Sequence, residues 1–129
     1  MTKGFWQELK NNSNLNVDFR ISSKRNYADV LNDVFRHNDS VFMSVSFYRG
    51  GMDTCGSCLW ADINEFIDPD NPKVLNPKTI IAGLNQVIGH QPVPEIRKCH
   101  DAKTKTCHTW IDTGSWQGSE IKPMLELHI

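Results

Sequence analysis

Between residues 15 and 35 the chain changes its hydrophobic period, and that change restricts the fold more than any other feature. In "LNVDFRIS" the apolar Leu15, Val17, Phe19 and Ile21 alternate with Asn16, Asp18 and Arg20. A period of two sends successive side chains to opposite faces of an extended backbone, so the stretch predicts a half-buried strand. Shortly afterwards the spacing is helical, with Tyr27, Val30, Leu31, Val34 and Phe35 forming one stripe. Asn26 stands where an N-cap belongs, with Asp29 three residues on. A chain that uses both periods so close together is neither all-α nor all-β.

The same reasoning extends along the chain. Phe5, Trp6 and Leu9 predict a short amphipathic opening helix. "SVFMSVSFYR" (40–49) is rich in β-branched and aromatic residues and predicts a central strand, with "LWADINEFI" (59–67) returning beside it. Asn76-Pro77 resembles a helix start, and Ile80, Ile81, Leu84, Val87 and Ile88 share a helical face that Gly89 ends. Gly83 inside that helix would cost about 1 kcal/mol against alanine. "EIRKCHDAKTKTCHTWID" predicts a β-hairpin with its tip near Lys103, in a register where Cys99 faces Cys107. A glycine-bearing loop around Trp116 and a last strand carrying Leu125, Leu127 and Ile129 complete the reading. The expected architecture is α+β: one domain over residues 1–129, mainly an antiparallel sheet with about three helices on one face.

Charge narrows the function. The formal net charge of −1 disfavours a dedicated nucleic-acid binder, which would be clearly basic. Acidic residues gather at Asp53, Asp62, Glu65, Asp68 and Asp70, and basic ones at Lys24-Arg25 and along Arg97, Lys98, Lys103 and Lys105. The N-terminal "MTKGFWQELKNN" has no apolar signal region, and no apolar run reaches membrane-spanning length. A cytoplasmic location without membrane contact is expected, and there cysteines stay reduced.

The cysteines are the chemical question. Cys55-Gly-Ser-Cys58 has the two-residue spacing of a zinc knuckle, and Cys99 and Cys107 across the hairpin would be the second pair. His100 and His108 stand beside them as alternative ligands. The seven residues between Cys99 and Cys107 exceed the usual two to four of a metal pair, and four reduced, packed cysteines are the competing reading. No P-loop, GxGxxG, GxSxG or HExxH occurs, and no catalytic residue is assigned.

Elimination leaves a protein-binding inhibitor or regulator, of the immunity-protein, antitoxin or phage anti-defence type. It would neutralise a larger protein, such as a toxin, nuclease or defence enzyme. The expected contact surface includes the 50–58 loop and the Trp116 loop, with Met52, Asp53, Asp62, Glu65 and Trp116 as contact residues, and zinc, where bound, would be structural. The alternatives are a small nuclease or transferase with a centre built from Cys55, Cys58, His100 and His108, or a zinc-stabilised accessory protein that binds nucleic acid.

Overall fold

A computed structural model describes residues 1–114. The expectations for Trp116 and for the strand near the C-terminus lie outside the described residues. The fold is α+β, and the chain divides into two compact units, Met1–Ala61 and Asp62–Ile129.

The first unit is helical and loop-rich. Helix α1 (Lys3–Asn11) starts where the Thr2 hydroxyl accepts the Phe5 amide, and it buries the expected Phe5, Trp6 and Leu9. Helix α2 (Tyr27–His37) carries a reciprocal cap. The Asn26 side chain accepts the Asp29 amide at 3.0 Å, and Asp29 accepts the Asn26 amide at 2.8 Å. Val30 and Val34 are its fully buried residues. Aromatic contacts tie the elements together. Trp6 meets Phe19 and Tyr27 edge-on at 5.5 and 4.9 Å, and Phe42 lies 6.1 Å from Phe5 and 5.6 Å from Phe35.

Two expected strands of this unit are not strands. Residues 15–20 keep their alternation, with Leu15, Val17 and Phe19 turned inward between exposed polar residues, whereas Ile21 is exposed; among the described residues no strand pairs with this stretch. Side chains take over part of the ladder's work. The Arg25 guanidinium donates twice to the Asp18 carbonyl, at 2.7 and 3.1 Å, and Asp18 accepts the Arg20 amide. Residues 40–49 form 3-10 turns at Asp39–Met43 and Phe47–Arg49. Short polar side chains divert the backbone: Asn38 accepts the Ser40 amide, and the Ser46 hydroxyl accepts the Tyr48 amide. Serine and asparagine offer the main chain local partners in competition with a ladder.

The second unit holds a three-stranded mixed sheet. Strands β1 (Gln86–Ile88), β2 (Arg97–Asp101) and β3 (Thr106–Trp110) are ordered β1-β3-β2. β2 and β3 form the expected antiparallel hairpin, and β1 runs parallel to β3. The helix expected from residue 76 is replaced by turns and by β1. One turn does begin, with the Thr79 and Ile80 amides on the Asn76 carbonyl. Gly83 then adopts φ +79° and donates its amide to the Thr106 hydroxyl at 2.8 Å, which diverts the chain toward β3. The β-branched Val87 and Ile88 follow as strand. Residues 59–67 likewise hold a 3-10 turn, Ile63–Glu65, in place of a strand. The buried residues of this unit include Phe66, Ile67, Leu75, Ile80, Cys99, His108 and Trp110.

Candidate functional site

The segment from Asn38 to Trp60 is built as a braced loop. Ser57, fully buried, donates its hydroxyl to the Phe42 carbonyl at 2.6 Å and its amide to the Ser44 carbonyl at 2.9 Å. Asp53 closes the loop tip. Its carboxylate accepts the Val45 amide at 3.1 Å, its amide reaches the Val45 carbonyl, and its carbonyl takes the Phe47 amide. Gly50 turns the chain at φ +81°. Gly51 passes so close to Val45 that a Cβ there would run into the Val45 carbonyl. The Arg49 guanidinium sits 5.3 Å from the centre of the Trp60 ring.

This braced frame presents apolar side chains to water. Nine large hydrophobic residues are exposed among the described ones, and five of them, Met43, Phe47, Tyr48, Met52 and Leu59, fall within residues 43–59. Met52 is 96% exposed and Phe47 74%, so neither contributes appreciably to packing. Concentrated exposed apolar side chains mark interaction surfaces, and aromatic and methionine side chains are favoured there. Met52 was expected at the surface. Phe47 and Tyr48 were not singled out, because a strand over 40–49 would have sent one of these neighbours inward and paired both with the sheet; Gly50-Gly51 and the serines were the signal against that strand.

The other expected contact residues are placed differently. Asp53 is spent on the loop's own backbone. Asp62 and Glu65 are 6% and 8% exposed, which does not fit their expected place as contact residues. They cap the 3-10 turn reciprocally. Glu65 accepts the Asp62 amide at 2.7 Å, and Asp62 accepts from Asn64 and from the Gln91 side-chain amide at 2.7 Å.

The cysteines do not behave as one set. In the first unit, the Cys55 sulfur lies against Gly4 of α1, where any side chain would collide with it, and burial pushes the Cys58 thiol up, toward its neutral form. Gly56 runs tightly against the Trp60 carbonyl, so the two residues between these cysteines serve the loop's packing. In the second unit the hairpin register differs by one residue from the expected one. Cys99 pairs with His108 and His100 with Cys107. A one-residue slip reverses every side chain, so Cys99 and Cys107 occupy opposite faces and do not form a ligand pair. Cys99 is fully buried, with its thiol on the Pro72 carbonyl at 3.5 Å, whereas the Cys107 sulfur lies outward, 4.0 Å from His100 Nε2. None of the four is joined in a disulfide, and among the described residues no three His, Cys, Asp or Glu side chains converge as a metal would require.

His108 is fully buried, edge-on to Phe66 at 5.4 Å, with its Nε2 3.1 Å from the Gln86 side-chain nitrogen. Burial pushes its imidazole below the usual histidine range. His37, the last residue of α2, donates from Nε2 to the Asn14 carbonyl. Beside it a cleft of about 440 Å³ is lined by Asn16, Val17, Asp18, Arg25, Asp33 and Arg36 as well as His37. Its charges answer one another. Asp33 bridges Arg25 and Arg36 at 2.7 and 2.8 Å, and Arg20 holds the Asp18 carboxyl at about 2, well below the usual carboxylate range.

No family model matches the chain, and neither a curated protein nor a solved structure does. The class defined by its own residues is an α+β protein with a braced, apolar, solvent-facing loop. No helix among the described residues is long and apolar enough to cross a membrane.

Proposed function

We propose that this chain is a protein-binding inhibitor or regulator that engages a larger protein through the loop over residues 43–59. The observation that carries the reading is the exposure of Phe47, Tyr48 and Met52 on a frame braced by hydrogen bonds within the loop. Such a frame holds its anchors in place before binding, which reduces the ordering cost of association. Aromatic anchors at the centre of an interface supply a large share of its energy. The Arg49 guanidinium beside Trp60 adds a cation at the edge of the same loop.

The test compares the wild-type chain with a Phe47→Ser/Met52→Ser variant as baits in lysate of the source cells, with captured proteins quantified by mass spectrometry. A stoichiometric protein partner retained by wild type and lost by a variant of unchanged thermal stability is the expected result. Equal capture by both baits would overturn the assignment of the loop. A self-associating wild type, seen by sedimentation and abolished by the same pair of changes, would replace the foreign partner with a second copy.

A further inference from the structure

The outward face of the β2–β3 hairpin carries a thiol and an imidazole in direct opposition. His100 and Cys107 are register partners, so their side chains leave the sheet on the same side, and the sulfur lies 4.0 Å from His100 Nε2. That is within reach of a sulfur hydrogen bond. The Cys107 backbone is pinned, because its amide donates to the Asn85 side chain at 2.9 Å, and the Thr109 hydroxyl lies 4.0 Å from the sulfur. Lys98 pairs with Thr109 and therefore shares this face, while Lys103 and Lys105 stand exposed at the hairpin tip. The acid of the hairpin, Asp101, is buried and holds the turn through the Thr104 amide and hydroxyl. The open face is thus a nucleophile and a proton acceptor among cations.

We propose that Cys107 is a thiol-exchange site that takes a small anionic disulfide of the glutathione disulfide type, with His100 as the proton acceptor. The Cys107 sulfur attacks one sulfur of the incoming disulfide, forming a new S–S bond as the old one breaks. His100 Nε2 receives the thiol proton and returns it to the departing thiolate, so one thiol is consumed, one is released, and no further oxidant is needed. The lysines favour a substrate carrying carboxylates by steering its approach. The remaining thiols are less suited: Cys99 is buried against Pro72, Cys55 is packed on α1, and Cys58 is partly buried. The inference does not depend on the binding loop of the first unit.

The experiment exposes the full chain to glutathione disulfide and follows each cysteine by peptide mass spectrometry over time. The first adduct is expected at Cys107. His100→Gln, a change at an exposed strand position, should slow it about tenfold, less than a well-enclosed base contributes because this face is open to water. Cystamine, the cationic counterpart, should react more slowly than glutathione disulfide, and Lys98→Glu should narrow that difference. Adducts appearing first at Cys55 or Cys58, or a Cys107 rate unmoved by His100→Gln, would overturn the site. Equal rates with the two disulfides would overturn its preference for anions.

Discussion

At the scale of single residues, His108 and Asp62 carry the sharpest consequences. A fully buried imidazole held below its ordinary range stays neutral in the folded chain while the unfolded chain protonates near pH 6.5. Below that pH the unfolded state binds more protons, so stability is complete above about pH 6.5 and declines as pH falls toward the folded-state value. Urea midpoints should therefore drop between about pH 7.5 and pH 5.5, and His108→Phe should flatten that dependence. Asp62 accepts from both Asn64 and Gln91, so Asp62→Ala strands their donors and should cost about 1–3 kcal/mol by the same measurement. A stability unchanged by Asp62→Ala would mean that its carboxylate serves something other than the turn. Neither role was visible in the residue types, since a histidine and an acid in sequence carry no mark of burial.

Elements were legible to different degrees. Both α-helices and the hairpin stand where caps, stripes and alternation placed them, and the Asn26–Asp29 box is present as spelled. Asn26→Ala should lower stability by about 1 kcal/mol, read from the urea midpoint. The hairpin turn holds Lys105 at φ +54°, a conformation that glycine adopts freely. Lys105→Gly is expected to raise stability by about 0.5–1 kcal/mol, read from the urea midpoint. In the loop, Gly51→Ala forces a methyl group into the Val45 carbonyl and should destabilise by about 1–3 kcal/mol. The expected helix over 76–88 failed because its apolar spacing also suits turns followed by a buried strand, and Gly83 resolved the ambiguity at one dihedral angle.

For the whole molecule, the decisive contrast is between stability and binding. Phe47 and Met52 are exposed, so Phe47→Ser/Met52→Ser should leave thermal stability within about 0.5 kcal/mol per site while removing the proposed partner contact. A large loss of stability would show that these side chains pack, and the loop would no longer stand as a binding surface. The acidic cluster read from the sequence does not act as one open face. Asp62 and Glu65 turn inward and Asp53 closes a loop, which moves the candidate contact from charge to apolar anchors.

The amino-acid sequence alone determined the α+β class, both α-helices and the hairpin. These follow from periods and caps that act over a few neighbouring residues. Tertiary structure decided whether an extended stretch obtained a partner: among the described residues 15–21 has none and 86–88 has one. It also decided the register that separates Cys99 from Cys107 and sets His100 beside the latter. Strand pairing joins residues far apart along the chain, and a slip of one position leaves the local pattern unchanged while exchanging which side chains meet water.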